Sequence, residues 1–353
     1  MTPMTQLAAS PASLAYVTKA RARTTGRVRR VTTALALAVV LAFLLSLSLG
    51  DFLVPIWHVP SDVVGSGDAA EVLVVQHLRL PRAILALPVG AALGMSGAVF
   101  QALARNPLAS PDILGITAGG SLSAVVGLTV LGLSGLFLSF AATGGALVTA
   151  VLIYVLAYRQ GLSSYRLVLV GIGVGAIALA LIQFFWTRAH TYDAASAALW
   201  LSGSLNGRGM ESIWPILVML AVAVPATLVL AKRLGVLELG DDTAAAVGLA
   251  VQRSRALLLL AAVALAGAAI GAAGPVAFVA FVSGPIARRL TRTGSAALVQ
   301  AALTGAALVS VADLVGRTAL SSSEVSVGVI TGIAGAPYLL WLLARTNKSG
   351  RGN

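Results

Sequence analysis

The sequence contains no cysteine, and charged residues make up only 10% of its 353 residues. Without cysteine, disulfide bonds and thiolate metal sites are excluded. The three histidines, His58, His77 and His190, are too scattered to predict a metal site built from histidine. A soluble chain carries roughly a quarter of its residues as charged side chains. The shortage of charge therefore indicates that most of the protein surface faces lipid.

Apolar runs dominate the chain, which is 58% hydrophobic with a mean hydropathy of +0.94. A transmembrane helix needs about 20 predominantly apolar residues. Candidate spans lie at residues 31–50, 82–104, 113–133, 137–157, 166–187, 211–231, 255–273, 276–290, 296–316 and 326–344. The sequence therefore predicts an all-α polytopic membrane protein with ten transmembrane helices.

The segments outside these spans are short, so we predict one membrane domain over residues 31–345. A polar basic tail at 1–30 precedes it, and a short tail at 346–353 follows it. A basic segment before an apolar run can be a secretory signal. Because this run is long enough to span a membrane and many spans follow, we interpret it as a retained anchor.

The distribution of lysine and arginine predicts the orientation in the membrane. If the N-terminus is cytoplasmic and the spans alternate, 19 of the 24 basic residues lie inside. The five outside are Arg79, Arg82, Arg188, Arg208 and Arg317. Cytoplasmic loops are enriched in basic residues, so both termini are expected in the cytoplasm. The chain itself is expected in the plasma membrane. No basic patch interleaved with aromatic residues points to nucleic acid as a partner.

Glycines inside the apolar runs indicate tight helix packing. Gly90, Gly94 and Gly97 follow one another at spacings of four and three, and small residues let helices in lipid approach closely. The glycines of 171–175 superficially resemble a dinucleotide-binding loop. No strand precedes them, so close packing is the better interpretation.

Ionisable residues within the predicted spans are scarce. Such residues would mark a transporter driven by ions or protons. Asp313 is the best candidate, and Arg317 lies four residues later, where a local ion pair is expected in a helix. A proton relay at Asp313 is the weaker alternative. The chain is therefore expected to depend on a partner that supplies energy.

The cytoplasmic loop at 238–253 predicts a short helix. Asp241 or Asp242 can cap it, the alanines after Thr243 favour it, and Gly248 can end it in a left-handed conformation. Its small-residue surface suits docking into a groove on a cytoplasmic partner. An ordinary connecting helix is the alternative.

The outer stretch Leu78–Arg82 carries two arginines on the side where basic residues are disfavoured. Pro81 suits the first turn of a helix. The arginines could receive carboxylates from an external partner, or they could anchor the chain among lipid headgroups.

Several short motifs occur in a fixed order along the chain. They are Leu80-Pro81-Arg82, Gly94-Met95-Ser96-Gly97 with Gln101, Asn106-Pro107-Leu108-Ala109, Gly248-Leu249, Gly274-Pro275, Ala312-Asp313 with Arg317, Glu324, and Gly335-Ala336-Pro337-Tyr338. Together these motifs resemble the permease subunits of the iron-siderophore and cobalamin ABC importers. The similarity runs from about residue 31 to residue 345.

The resemblance implies a type II ABC importer permease with ten helices per subunit. It implies as partners a second permease subunit, two cytoplasmic ATPase subunits and an external siderophore-binding protein. Residues of the coupling loop to the ATPase would be Asp241, Asp242, Ala245, Gly248 and Leu249. Outward-facing arginines that meet glutamates of the binding protein would be Arg79, Arg82 and Arg317. The chain itself would be no enzyme and would bind no cofactor, since ATP and Mg²⁺ belong to the ATPase subunits.

The resemblance also suggests the cargo. The stretch 289–292 looks most like catecholate and other ferric-siderophore permeases, which usually form heterodimers of two unequal permeases. The stretch 283–288 departs from many relatives because it lacks a polar side chain between Pro285 and Ile286. Ferric siderophore import is the function expected; cobalamin or haem import is the nearest alternative, and a proton-coupled secondary transporter is a distant one. A membrane anchor or receptor without transport is disfavoured by the small loops.

Overall fold

The structure is a computed structural model that describes residues 11–159, 161, 163–319 and 324–349. Its regular elements are helices. In chain order they are α1 (Pro11–Ser48), α2 (Val59–Val64), α3 (Ala69–Leu73), α4 (Leu80–Ala104), α5 (Ile116–Thr129), α6 (Gly135–Ala157), α7 (Ser164–Arg188), α8 (Thr191–Leu201), α9 (Ile213–Glu238), α10 (Asp241–Ala246), α11 (Val251–Ala273), α12 (Val279–Thr291), α13 (Leu298–Thr318) and α14 (Val327–Ser349). A π-helical turn, Val74–Arg79, joins α3 to α4, and a 3₁₀ turn, Met210–Ser212, leads into α9.

The all-α prediction is confirmed, and each of the ten predicted spans overlaps one helix. Among the described residues, seven helices are long and apolar enough to cross a membrane. At the other three predicted spans, α5 has 14 residues and α12 has 13, whereas α14 has 23. At about 1.5 Å per residue, α12 rises about 20 Å, which is less than the roughly 30 Å of a hydrocarbon core. The helices α5 and α12, at two of the predicted spans, are therefore too short to cross the hydrocarbon core alone.

The two short helices α5 and α12 both follow non-helical segments, at 105–115 and 274–278. Asp112 links these segments. Its Oδ1 accepts a hydrogen bond from Thr117 Oγ1 at 2.6 Å, and its carboxylate also accepts one from the backbone amide of Phe278. Phe278 itself has a left-handed backbone, with φ of 65°. Irregular backbone in a membrane protein must be satisfied by protein groups, and this carboxylate does so at the junction.

The core is built around α4 and α11, whose side chains are mostly buried. The predicted glycine packing is confirmed on α4. A Cβ atom at Gly90, Gly94 or Gly97 would lie only 1.8 to 2.3 Å from a backbone oxygen of α12 or α13. Only glycine allows this approach, so these helices are held at backbone contact.

The glycines of 171–175 differ in how closely they approach neighbouring backbone. Gly171 and Gly175 of α7 approach the backbone at Leu114 and Gly115, whereas nothing lies within 4 Å of a Cβ placed at Gly173. Two of the three glycines therefore serve packing.

The first helix extends well beyond the predicted membrane span on its N-terminal side. It begins at Pro11, within the segment expected to be a separate tail, and continues without interruption to Ser48. Arg27 Nε donates to the carbonyl of Leu290 at 3.0 Å, which fastens the helix to the end of α12. Alanine and basic residues before the apolar run favour continuation of the helix. Residues 1–10 and 350–353 of the two predicted tails lie outside the described residues.

Candidate functional site

Helix α4 joins two polar clusters, one at each of its ends. Arg82 lies in its first turn and Arg105 follows its last residue. With 25 residues the helix is about 37 Å long. We call the cluster of Arg79, Arg82, Asp313, Arg317 and Glu324 the outer network. We call α10 with the following residues 247–249 the inner coupling helix. Both names follow the orientation expected from the basic residues.

Arg82 is the centre of the outer network. Its Nε donates to Asp313 Oδ1 at 2.6 Å, and its Nη1 donates to Glu324 Oε2 at 2.7 Å. The side chains of Arg82 and Asp313 are 6% and 0% exposed, whereas that of Glu324 is 44% exposed. Asp313 also lies 3.4 Å from Arg317 Nε, so the pair expected from the four-residue spacing is confirmed. One buried carboxylate is thus shared by two arginines.

The other two arginines fasten the end of α1. Arg317 Nη2 donates to the carbonyl and the hydroxyl of Ser46, at 2.8 and 2.7 Å. Arg79 Nη1 donates to the last two carbonyls of α1, at 2.9 and 3.0 Å, and its Nη2 donates to the carbonyl of Phe52. Carbonyls at a helix C-terminus have no partner within the helix, which explains why cations are placed there.

The three arginines expected to face outward are mostly buried beneath the cavity that they line. The structure brings Arg79, Arg82 and Arg317 together, but only 5%, 5% and 9% of each residue is exposed. Their partners are distant in sequence: Asp313 and Glu324 lie 231 and 242 positions from Arg82. A buried charge requires a partner, and these arginines find theirs within the chain. Docking of a binding protein on them stays a proposal.

A partly open cavity of about 370 Å³ lies against the outer network. A second cavity of about 480 Å³ adjoins it and is lined by the end of α8 and by Ser326. Both cavities share Arg82, Asn206, Gly207, Arg208 and Glu324. We call the two together the outer vestibule. The sequence analysis did not assign a role to Arg208, for which its place among the five outer basic residues was the only signal.

The inner coupling helix is short and bounded by glycines. Gly240 precedes it with φ of 119°, and Gly248 follows it with φ of 82°. The predicted left-handed ending at Gly248 is confirmed. Capping by Asp241 or Asp242 is not seen, since Gly240 occupies the capping position without a side-chain bond.

Asp241 instead ties the inner coupling helix to the ends of two long helices. Its carboxylate accepts from Arg105 Nη2 at 2.8 Å and from Arg255 Nη2 at 2.9 and 3.1 Å. Arg105 also donates to the carbonyl of Leu237 at 2.7 Å. The cation after α4 and the cation near the start of α11 therefore hold the helix in place.

The inner coupling helix exposes small residues. Ala244 is fully buried, whereas Ala245, Ala246 and Gly248 are exposed. Val247 is 68% exposed. Asp242 is also exposed, and Leu249 is partly buried. The exposed surface consists largely of small, uncharged side chains.

Asn106 and Pro107 form the turn that follows α4. Asn106 Oδ1 accepts from the backbone amide of Leu108 at 2.9 Å, which closes an Asx turn. The turn redirects the chain from the end of α4 into the segment that leads to α5.

The remaining motif residues lie at close contacts or bends. Gly274 has φ of 74°, and with Pro275 it begins the segment that leads to α12. A Cβ at Gly335 would overlap the Phe278 side chain. Pro337 lies inside α14. These residues shape the backbone and carry no reactive group. Among the described residues, no three His, Asp or Glu side chains are grouped so as to hold a metal ion.

Comparison with known proteins gives consistent matches over most of the chain. A family model described as the FecCD transport family matches residues 37–345. An iron(3+)-hydroxamate import system permease protein of Bacillus subtilis is 40% identical over 320 residues, covering 88% of this chain and 95% of the relative. A ferric enterobactin transport system permease protein of Escherichia coli is 40% identical over 286 residues, covering 81% and 87%. A solved structure described as a metal-chelate type ABC transporter, in an inward-facing conformation, superposes with a TM-score of 0.78 at 25% identity, covering 90% of this chain and 99% of that one.

Proposed function

The chain belongs to the FecCD transport family, and on that premise we propose that it carries ferric siderophores across the plasma membrane as the permease subunit of an ABC importer. The observation that supports the cargo is the 40% identity to permeases named for iron(3+)-hydroxamate and ferric enterobactin. The chain is a transport subunit and not an enzyme. It performs no covalent chemistry on its cargo.

Energy for transport would come from two cytoplasmic ATPase subunits, which would bind ATP and Mg²⁺. The inner coupling helix supports this arrangement because its exposed surface is made of Ala245, Ala246, Val247 and Gly248. Small side chains allow a groove on a partner to approach the backbone closely. The tether from Asp241 to Arg105 and Arg255 would pass a movement of the ATPase to α4 and α11.

An external binding protein would dock over the outer vestibule. Glu324 is the exposed acceptor on Arg82, whereas Asp313 is buried. A carboxylate of the binding protein could replace Glu324 on Arg82 without disturbing the buried pair. Charge reversal of Arg79, Arg82 and Arg317 together is expected to weaken docking, measured by co-purification of the binding protein. Undiminished docking by the folded triple variant would contradict the assignment.

A second permease subunit would complete the pathway, as a homodimer or a heterodimer. Apolar side chains remain exposed along α7 and α14, among them Ile172, Leu179, Ile333 and Leu340. A second permease and membrane lipid would cover these faces. Both termini of each subunit would lie in the cytoplasm.

The proposal is tested by uptake of radioactive iron in cells that lack the gene. Restoring the gene should restore uptake of iron supplied as a ferric siderophore, and excess cobalamin or haem should not compete. Restored uptake of labelled cobalamin or haem, with no uptake of any ferric siderophore, would overturn the proposed cargo in favour of the nearest alternative.

A further inference from the structure

Four arginines line the outer vestibule, and three of them have partners. Arg79, Arg82 and Arg317 donate to carbonyls, a hydroxyl and carboxylates of the chain. The guanidinium of Arg208 makes no hydrogen bond or ion pair with the described residues, which include all twelve acidic residues of the sequence. The neighbouring undescribed stretch 320–323 is Leu-Ser-Ser-Ser and contains no carboxylate. Of the four arginines, Arg208 is therefore the one to which the described residues supply no hydrogen bond or ion pair, although Glu211 lies nearby.

The loop after α8 holds Arg208 at this position. Gly203 and Gly207 both have φ of 67°, which lets the chain turn sharply twice. Leu205, fully buried between them, anchors the loop, and the Arg208 amide donates to its carbonyl at 3.4 Å. Because the loop is anchored, Arg208 lines both cavities of the vestibule rather than extending freely into solvent.

The size and lining of the vestibule suit a small ligand. Its cavities of about 370 and 480 Å³ fall in the range of roughly 300 to 1,000 Å³ that is usual for small-molecule sites. Hydroxyls of Ser196, Ser204 and Ser326 line one side, and Leu199 and Trp200 supply an apolar wall. Anionic oxygens of a ligand could bind the arginines and serine hydroxyls, and a flat apolar part could pack against Leu199 and Trp200.

The electrostatic environment favours an anion next to Arg208. Burial lowers the pKa of Arg208, while the nearby Glu211 raises it. Arginine nevertheless stays charged in proteins. A partly buried cation without an ion pair is unfavourable, and an anionic oxygen within hydrogen-bond distance would relieve this. The acids that face the vestibule, Asp51 and Glu324, are fewer than its arginines.

We propose that Arg208 is the group of the outer vestibule that contacts the cargo, and that it selects ferric chelates carrying negative charge. The guanidinium would donate charge-assisted hydrogen bonds to catecholate or carboxylate oxygens at the surface of the chelate. The vestibule would receive one face of the chelate before it passes between the permease subunits. This inference rests on the proposed function and adds that the ferric chelate carried is negatively charged.

Initial uptake rates of two chelates by cells with the full importer test the proposal. One chelate is a trianionic ferric tris-catecholate, and the other is an uncharged ferric tris-hydroxamate. With Arg208→Ala we expect the rate for the trianionic chelate at low concentration to fall about tenfold or more, as for loss of one charge-assisted contact. The rate for the uncharged chelate should not change. Arg208→Lys should keep much of the uptake, because the charge remains.

Arg188→Ala is the matched control. Arg188 is also an outer arginine, but its guanidinium lies over the Phe184 ring, 4.7 Å from the centroid, and it does not line the vestibule. Uptake of both chelates should be unchanged in this variant. Immunoblotting of membranes establishes that each variant is inserted, and Arg208→Gln replaces Arg208→Ala if the latter is not.

The proposal is overturned if Arg208→Ala leaves both rates unchanged or lowers them equally, since an equal fall means a structural or protein-docking role. It is also overturned if the wild type imports only the uncharged chelate. If the wild type imports only the trianionic chelate, rescue by Lys supports the proposal and equal loss in the Lys and Ala variants overturns it. Import of neither chelate would contradict the proposed function itself, and with it this inference.

Discussion

The outer network and the inner coupling helix occupy opposite ends of α4, yet they are built on opposite principles. At the outer end, arginines are buried and matched by acids or carbonyls of the same chain. At the inner end, alanine, valine and glycine are exposed, and a single carboxylate tethers them. The outer end is held together by its own charges. The inner end leaves small side chains exposed at its surface.

This difference teaches that a charged motif in a membrane protein is not automatically a contact surface. A buried ion pair is expensive to break, because removal of one partner leaves an uncompensated charge. Exposed small residues contribute little to folding. Substitutions that break the buried ion pairs of the outer network should therefore lower stability whether or not they also weaken docking. Substitutions on the exposed face of the inner coupling helix should act mainly on transport.

The largest effect is expected for Asp313→Ala. Removal of the carboxylate leaves Arg82 and Arg317 without their shared buried partner, which should destabilise the protein by about 3–5 kcal/mol. Thermal unfolding of the purified protein in detergent measures this. Asp242→Ala, which removes an exposed acid of the inner coupling helix, is the control and should not change the unfolding temperature. Equal shifts of the unfolding temperature in the two variants would show that the two ends of α4 do not differ in their contribution to stability.

A pair of neighbouring substitutions sharpens the comparison at the inner end. Ala244→Leu enlarges a fully buried side chain and should cost about 1–3 kcal/mol by overpacking. Ala245→Leu enlarges an exposed one and should leave the unfolding temperature unchanged. In the assembled importer, however, Ala245→Leu should lower the chelate imported per ATP hydrolysed, because the partner groove no longer fits. Normal coupling with leucine at position 245 would count against groove docking.

A smaller effect is expected where the outer network reaches the surface. Glu324→Gln removes the negative charge of an acceptor that is 44% exposed, so its cost in stability should stay below about 1 kcal/mol. Arg105→Gln removes the comparably exposed donor to Asp241 and should cost equally little. Unfolding curves of both variants measure these changes. A loss of stability in Glu324→Gln as large as that in Asp313→Ala would show that the exposure of a carboxylate does not determine its contribution to the outer network.

The smallest effect on stability is expected for Asp62, a buried acid of α2. Neither of its carboxylate oxygens has a hydrogen-bond partner among the described residues. Burial raises its pKa, and Glu71 raises it further. Because the folded-state pKa is raised, the contribution of Asp62 to stability is present at acidic pH, below its unfolded-state pKa. It is lost as pH rises through the folded-state pKa.

Asp62→Asn should therefore be more stable than the wild type at neutral pH and gain little at acidic pH. Unfolding temperatures of both proteins across this pH range measure the difference. A variant that is less stable than the wild type by the same amount at every pH would contradict the assignment.

The helices were predictable from the sequence to a large extent, because a span of apolar residues is a local property. All ten predicted spans overlap helices, and the pairing of Asp313 with Arg317 followed from their spacing. The start of α1 was missed because alanine and basic residues carry no apolar signal, although they favour helix.

The direction of the outer arginines could not be predicted, because it depends on contacts across the fold. Arg82 meets Asp313 and Glu324 only after α4 and α13 have packed through their glycines. The same holds for Asp241, whose carboxylate was expected to cap a helix and instead binds Arg105 and Arg255. A local sequence pattern shows which interactions a side chain is able to make, whereas packing between distant segments decides which partner it meets.

The central claim is that this chain moves its cargo through work done by an ATPase at the inner coupling helix. Uptake of a radioactive ferric siderophore into proteoliposomes, containing the permease with its ATPase and binding-protein partners, tests it most directly. We expect uptake to require ATP and to be unaffected when an ionophore collapses the proton gradient. Uptake driven by a proton gradient without ATP or the ATPase subunits would contradict the account.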